Sequence, residues 1–206
     1  MARNLGLPKD HGDWGVPYQP ADFLDLDREA IPLRGKAPAP ALVDFVRELI
    51  TAEGPIHEQV LFLHVREVLH LNTLSPTRKQ LVQAAVEQLV EKGDIASDGE
   101  FLDLPDRACR FARWPLPGLT QRPVEHVAPK ERQTAILGLI RDTPGISFED
   151  VVPETIRFFG WSARTQGVKS SLVADLYRLR DHGHIVGWPN QLTVPGSHAA
   201  TTGPMG

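Results

Sequence analysis

Apolar side chains recur at helical spacing along two stretches of the chain, and the two stretches share one pattern. Residues 45–102 and 135–192 align without a gap at an offset of 90 positions, and a glycine, Gly93 or Gly183, keeps the same place in both. Apolar residues and a glycine that stay in register indicate one small module used twice. The main apolar pairs are Leu49/Leu139, Ile50/Ile140, Ile56/Ile146, Val82/Leu172, Val86/Leu176, Leu89/Leu179, Ile95/Ile185 and Leu102/Leu192.

The first copy begins with two predicted helices. Leu42, Val46 and Leu49 stand three to four residues apart, and this spacing predicts an amphipathic helix that ends near Gly54. His57 follows almost at once and can cap a second helix.

A third helix is predicted to begin at Ser75-Pro76, because serine is a favoured cap and proline is favoured at the first helical position. Gly93 ends it, and Asp98-Gly99 predicts the turn of a short hairpin. The second copy repeats this order, with Ser147 as the cap of its second helix and a hairpin around Pro189-Asn190.

Only one extended residue fits between the first two helices of each copy, Ile56 or Ile146, and we expect it to pair with the hairpin. Three helices, a single extended residue and a closing hairpin are the order of a winged helix-turn-helix. The predicted fold class is therefore α+β, mostly α, with two tandem winged helix-turn-helix domains.

Proline-rich segments flank the two copies. We expect residues 1–40 to form an extended arm that touches the first domain. Within this arm, Phe23, Leu24 and Leu26 either anchor it or form one helical turn. Small polar residues dominate 195–206, where we expect a disordered tail.

The predicted domains are 41–104 and 130–194, and an ordered linker, 105–129, joins them. The linker combines prolines, which lower the entropy lost on ordering, with aromatic side chains that gain from burial.

Charge is divided unevenly between the two copies, although the whole chain carries only −4. Residues 41–104 hold 5 basic and 11 acidic residues, or −6, whereas residues 129–194 hold 8 and 7, or +1. An acidic surface repels a phosphate backbone, so the second copy is the better candidate for nucleic acid.

Composition indicates where the protein is located and which cysteine-based sites it lacks. No apolar run approaches the roughly 20 residues that span a bilayer, and the N-terminus has no hydrophobic signal core, so we expect a cytoplasmic protein without membrane contact. Cys109 is the single cysteine, which excludes an internal disulfide and a cysteine-based zinc cage.

An enzyme is not expected, because no nucleophile stands near a suitable base. His182 and His184 could form a metal pair, but histidines at a helix end more often face the helix dipole. His57 is better explained as a cap or a buried hydrogen-bonding residue than as a catalyst. We therefore expect no cofactor, no metal and no small-molecule substrate.

Nucleic acid is the ligand that the predicted fold suggests. A winged helix usually places its third helix in the major groove, and side chains and free N–H groups at the start of that helix can meet phosphate. The same polar residues would also serve solubility alone. The predicted DNA-binding residues are Arg164, Thr165, Gln166, Lys169 and Ser170 of the second copy and Arg78 and Lys79 of the first.

Protein binding is the competing hypothesis, because winged helices also bind other proteins. Trp161 and Trp188 are candidates for an apolar contact surface. The alternative is that Trp161 closes the turn after the second helix and Trp188 packs the hairpin.

Several short segments resemble a known family. The chain is similar, over roughly residues 16 to 194, to an uncharacterised tandem winged-helix domain of unknown function at the C-terminus of large bacterial superfamily I helicase-like proteins. This resemblance implies association with a DNA helicase or nuclease system. The segments are Pro17-Tyr18, Ala21-Asp22, Glu53-Gly54-Pro55-Ile56-His57, Gly93-Asp94-Ile95, Gly99-Glu100-Phe101-Leu102 and Phe158-Phe159-Gly160-Trp161-Ser162-Ala163-Arg164-Thr165.

The sequence contains no GxxxxGK[ST] phosphate loop, so we expect any ATPase to come from another polypeptide. The functional hypothesis is a non-enzymatic accessory protein that binds DNA weakly through the second domain, in association with a helicase or nuclease partner. The alternative is a scaffold or adaptor module with no direct contact to nucleic acid.

Overall fold

The computed structural model describes residues 13–23, 26–116 and 121–196. The chain divides into two compact units. The first comprises Gln19–Cys109 and Glu125–Ala128, and the second comprises the chain up to Tyr18, Arg110–Val124 and the chain from Pro129 onward.

The described residues form an α+β structure with six α-helices and two small sheets, which agrees with the predicted class. Short 3-10 turns lie at Arg28–Ala30 and Val124–His126. In chain order the elements are β1 (Gly15–Tyr18), α1 (Pro40–Glu53), β2 (Ile56–His57), α2 (Glu58–Val68), α3 (Pro76–Lys92), β3 (Ala96–Asp98), β4 (Phe101–Asp103), β5 (Ala112–Pro115), α4 (Pro129–Asp142), α5 (Phe148–Phe158) and α6 (Val168–Asp181).

The cores of the two units use the apolar positions that repeat in the sequence. In the first unit Leu49 and Ile50 of α1 are fully buried, and α1 packs mainly on α3. Ile140 and Leu172 are fully buried at related positions of the second unit, where α4 contacts both α5 and α6. Burial of such side chains is the main favourable contribution to folding, about 1.5–3 kcal/mol for each.

Capping residues lie at the helix boundaries that the sequence predicts. The Nδ1 atom of His57 accepts a hydrogen bond of 3.1 Å from the backbone N–H of Gln59 at the start of α2. Ser75 caps α3 through Arg78 N–H at 3.4 Å, and Gly93 ends the same helix with a φ of 76°.

The second serine cap is also confirmed. The hydroxyl oxygen of Ser147 accepts from the backbone N–H of Asp150 at 3.2 Å, and the Ser147 hydroxyl donates to the Asp150 carboxylate at 2.6 Å. These reciprocal bonds satisfy an otherwise unpaired N–H group at the start of α5.

The single extended residues pair with the hairpins as predicted. Ile56 of β2 pairs with Leu102 of β4 in an antiparallel sheet of order β2-β4-β3. In the second unit the contacts are isolated antiparallel bridges, Ile146 with Leu192 and Val186 with Thr193. The offset of 90 positions is thus kept in the strand pairing as well as in the core.

The turn of the first hairpin differs from the prediction by one residue. Asp98 pairs with Phe101, so the two loop residues are Gly99 and Glu100 rather than Asp98 and Gly99. Gly99 takes a φ of 61° at the first loop position, where a hairpin turn needs a positive value and glycine has no steric cost.

Part of the N-terminal arm belongs to the second unit, although the sequence predicts contact with the first domain only. Strand β1 pairs in parallel with β5 of the second unit, Gly15 opposite Ala112. Trp14 is 3% exposed there, packs 4.9 Å from the Phe158 ring and donates its Nε1–H to Asp142 at 3.0 Å. A buried indole needs both apolar contacts and an acceptor, and the second unit supplies both.

The remainder of the arm packs on the first unit, as the sequence predicts. Phe23 meets Phe45 edge to face at 5.5 Å, and Leu26 packs against the same core. A 3-10 turn forms at Arg28–Ala30, after the aromatic pair. Leu24, residues 1–12 of the arm, residues 117–120 of the linker and residues 197–206 of the predicted tail lie outside the described residues.

A buried carboxylate holds the second unit's strands on its first helix. Glu131 of α4 is 0% exposed. Its oxygens accept from Arg113 Nη2 at 2.7 Å and from Arg122 Nη2 at 2.6 Å. Both guanidinium groups also lie over the Tyr18 ring of β1, at 5.5 and 4.4 Å from its centroid. One ion cluster therefore joins β1, β5, the linker and α4.

The cluster sets the protonation of this carboxyl. Burial would raise the pKa of Glu131, but the charges and hydrogen bonds of Arg122 and Arg113 oppose it and lower the pKa to about 2. The carboxylate is therefore ionised at neutral pH. A second buried pair links α4 to α6, since Arg132 Nε donates to Asp175 Oδ2 at 2.6 Å.

We expect Glu131→Gln to lower the free energy of unfolding by about 3–5 kcal/mol at neutral pH, because it leaves two arginines without a buried counter-charge. The folded-state pKa of about 2 lies below the ordinary 4.5, so this contribution is complete above pH 4.5 and is lost as pH falls toward 2. Urea denaturation of wild type and variant across this range should show the difference narrowing. A difference that does not change with pH would contradict it, and the exposed Glu48→Gln is the matched control.

We also expect Gly138→Ala to destabilise the second unit. A Cβ at this position would come 2.0 Å from the Trp14 ring. Helix propensity favours alanine by about 1 kcal/mol, but overpacking a buried ring costs about 1–3 kcal/mol, so the net effect is a loss. The cost should vanish in a Trp14→Ala background, which a double-mutant cycle of denaturation midpoints would measure.

Candidate nucleic-acid interface

The N-terminus of α6 carries no side-chain cap. Gly167 occupies the capping position with a φ of 84° and has no side chain to bond the first N–H groups, of which that of Val168 donates to the Thr165 carbonyl at 3.4 Å. In contrast, α3 and α5 begin with the serine caps of Ser75 and Ser147. An uncapped helix start presents N–H donors and a partial positive charge, which suit a phosphate group.

Exposed polar side chains surround this helix start. Lys169 and Ser170 lie in the first turn of α6, while Arg164, Thr165 and Gln166 lie in the turn before it, and all five are exposed. The structure thus brings together the residues that the sequence predicts for the second copy. Ser170 is partly engaged, since its hydroxyl donates to the Gly167 carbonyl at 3.0 Å.

The predicted residues of the first copy have different surroundings. Arg78 is half-buried, and the Lys79 ammonium lies 5.7 Å from the centre of the Phe62 ring. Ser75 already caps this helix start, so fewer N–H groups remain for an anion. The structure does not give Arg78 and Lys79 the open helix start that Lys169 has.

An acidic groove lies farther along α3, between this helix and the hairpin of the first unit. It encloses about 300 Å³ and has an apolar floor of Val86, Val90 and Leu102. Val90 is 38% exposed. Four carboxylates would repel a phosphate backbone from this face. They belong to Glu58, Glu87, Glu91 and Glu100.

A larger groove of about 700 Å³ runs beside α5 in the second unit. Trp161 and Lys169 both line it. The indole of Trp161 also stacks on Phe159 at 4.4 Å and donates its Nε1–H to the Arg122 carbonyl at 2.7 Å. The structure therefore combines the two alternatives for Trp161: it packs inward and presents surface to the groove.

Trp188 belongs to a cluster that we call the aromatic patch, formed by Phe148, Tyr177, Arg180 and Trp188. Its ring lies 4.8 Å from Phe148 and 5.4 Å from Tyr177. The Arg180 guanidinium lies 4.8 Å from the Tyr177 ring centre and 5.3 Å from that of Trp188. Trp188 thus packs the hairpin against α5 and α6, while Tyr177 stays 42% exposed.

Sequence reasoning missed Phe148 and Tyr177, although the offset of 90 positions contains a signal for both. When 90 is subtracted from the residue numbers of the aromatic patch, the resulting positions lie on the acidic face of the first copy. The same positions are acidic or aliphatic in the first copy and aromatic or basic in the second. The pairs are Glu58/Phe148, Glu87/Tyr177, Val90/Arg180 and Asp98/Trp188.

The histidines singled out in the sequence have structural surroundings. His182 is the C-terminal capping residue of α6, and its Nδ1 lies 2.7 Å from the Arg178 carbonyl oxygen. Its ring stacks near that of His184, with centroids 6.2 Å apart. No three His, Cys, Asp or Glu side chains within the described part of the chain are placed to hold a metal ion.

The Glu53-Gly54-Pro55-Ile56-His57 segment is accounted for by packing. Glu53 is buried and accepts from the Ala21 N–H at 2.9 Å. A Cβ on Gly54 would come 2.4 Å from an Asp103 oxygen. Its other members are the Ile56 rung and the His57 cap described above. The segment closes the first unit, and we assign it no contact with a ligand.

Comparison with known proteins does not assign the chain to a family. It matches no protein-family model, no curated protein and no solved structure. The family resemblance noted in the sequence therefore stays a prediction. Among the described residues, none of the helices combines the length and the apolar character that a membrane span requires.

Proposed function

We propose that the protein is a non-enzymatic tandem winged-helix accessory protein that binds DNA through its second unit. The N-terminus of α6, which has no side-chain cap, carries the proposal, because the N–H groups of Lys169 and Ser170 in its first turn are flanked by the exposed cations of Arg164 and Lys169. Helix N–H donors and long basic side chains are the groups that most often contact DNA phosphates.

The element order supports the winged-helix part of the proposal. Both copies have three helices, a single-residue rung after the first and a hairpin after the third, and the rungs Ile56 and Ile146 pair with Leu102 and Leu192. In this fold the third helix, here α6, enters the major groove and the hairpin lies beside it. Lys169 then faces the duplex from the first turn of that helix.

The first unit takes a different role in the proposal. Its acidic groove excludes a phosphate backbone but fits a helix or strand that presents apolar residues flanked by lysine or arginine. A helicase or nuclease partner with such a segment would dock there, and any ATPase activity would belong to the partner.

The alternative function is a scaffold or adaptor with no direct nucleic-acid contact. The acidic groove favours it, since this surface suits a protein ligand without any DNA. The two functions differ in one measurable property, because only the first requires duplex binding that weakens with added salt.

We expect Lys169→Glu to weaken duplex binding while the melting temperature stays nearly unchanged, because the side chain is exposed and outside the core. Loss of one phosphate contact should also reduce the slope of log affinity against log salt by about 1. Fluorescence anisotropy with a labelled duplex at several salt concentrations gives both quantities.

Lys92→Glu is the matched control, since it makes the same charge change at an exposed position in the first unit. Equal weakening by both variants would mean that only net charge matters and would remove the assignment to α6. If the wild-type protein does not bind duplex at low salt, the DNA-binding function is rejected and the adaptor function remains.

For the acidic groove, we expect a labelled amphipathic peptide of alternating leucine and lysine faces to bind the full chain. Replacing Glu87 and Glu91 by Gln should weaken this binding severalfold, because each exposed charge pair contributes about 0.2–1 kcal/mol. Replacing the exposed Glu48 and Glu149 by Gln removes the same charge elsewhere. Peptide titrations in which both double variants behave alike would contradict docking at this groove.

A further inference from the structure

We infer that the aromatic patch of the second unit stacks unpaired nucleotides, so that the preferred nucleic acid carries a single-stranded segment beside a duplex. This inference rests on the proposed DNA binding and names the class of DNA that the same unit takes. Aromatic rings next to basic side chains are the usual platform for single strands, because every base has a π-face that can stack.

The Tyr177 ring packs against three neighbours without any ligand present. Tyr177 has Trp188 at 5.4 Å, Phe148 at 6.4 Å and the Arg180 guanidinium at 4.8 Å. Three neighbours therefore restrict its rotation, yet 42% of the residue remains exposed. A base that stacks on a ring already held in place costs little additional side-chain entropy.

The charges around the patch suit the backbone of a strand. Arg178 and Arg180 flank Tyr177 on α6, and Asp181 is the acidic side chain that pairs with Arg180, at 2.6 Å. Arg178 has a side chain 60% exposed and lies 3.9 Å from Asp175. Exposed carboxylates of Glu149 and Asp150 follow Phe148, so the cations of the patch are confined to its α6 side, next to Tyr177, and phosphate is favoured on that side.

The patch is continuous with the proposed duplex contact. Tyr177 follows Lys169 on the same helix, and eight helical steps separate them by about 12 Å along the axis and about 80° around it. Phe148 of the patch also lines the 700 Å³ groove that reaches Lys169. A strand leaving a duplex held at Lys169 would therefore meet Tyr177 within a few nucleotides.

The first copy shows that the fold does not need aromatic residues at these positions. Glu87 and Asp98 are exposed where the second copy has Tyr177 and Trp188, and the core beneath is equally closed at Val86 and Leu176. Trp188 packs the hairpin, but Tyr177 stays 42% exposed and its ring is not needed to close the core. A ligand that stacks on this ring accounts for an aromatic residue at this exposed position of the second copy.

The test uses the full chain and two labelled DNAs, a blunt duplex and the same duplex with a single-stranded extension. We expect wild type to bind the extended DNA roughly tenfold more tightly, as one or two stacked bases would give. Tyr177→Ala should abolish this preference and leave blunt-duplex affinity unchanged. Tyr177→Phe, which keeps the ring, should retain it.

Tyr177→Leu keeps apolar volume without an aromatic face, and it should behave like alanine. If the alanine variant unfolds the hairpin, which a lower melting temperature would reveal, the leucine variant provides the test instead.

Equal affinity of wild type for the two DNAs overturns the inference while the proposed function stands. A preference that survives both Tyr177→Ala and Tyr177→Leu also overturns it, since the strand would then bind elsewhere. Failure of wild type to bind either DNA overturns the proposed function itself. Binding of extended DNA alone, lost in Tyr177→Ala, supports stacking and contradicts the duplex contact at Lys169.

Discussion

Two neighbouring residues of α4 carry the constraint on which the second unit depends. Glu131 and Arg132 are both buried and opposite in charge, and neither can stay in an apolar interior unless it is paired. Glu131 forms ion pairs with Arg113 and Arg122, and these pairs bring β5 and the linker onto α4. Arg132 forms an ion pair with Asp175 of α6. Removing Glu131 or Asp175 would leave arginines without their buried counter-charge, so these contacts favour one arrangement of distant segments.

The pairing at Asp175 connects this constraint to the candidate interface. Asp175 faces the core from the middle of α6, between the exposed first turn at Lys169 and the exposed ring of Tyr177. Burial raises the pKa of the Asp175 carboxyl, and the hydrogen bond and charge of Arg132 oppose this effect. Asp175 shares the buried face of α6 with Leu172 and Leu176, so the ion pair and the apolar contacts together fix which side chains of the helix are exposed.

The two copies agree at buried positions and differ at exposed ones. The core pairs, the hairpin rungs and the glycine after the third helix coincide at one offset, because close packing tolerates few changes of volume. The exposed face of the third helix has no such restriction. One copy has an acidic groove at Glu87, and the other has an aromatic and basic patch at Tyr177.

The sequence by itself determined the repeat, the helices, their caps and the hairpin rungs, because these follow from local spacing and capping chemistry at residues such as Ser75, Ser147 and Gly93. It also placed Lys169 at the start of a helix. Only the tertiary structure decided that β1 joins the second unit and that Tyr177 and Trp188 form one patch. Both depend on contacts between segments far apart in the chain, and no local sequence pattern predicts such contacts. Examples are the parallel pair β1–β5, the buried ion cluster of Glu131 and the packing of Trp14 against Gly138.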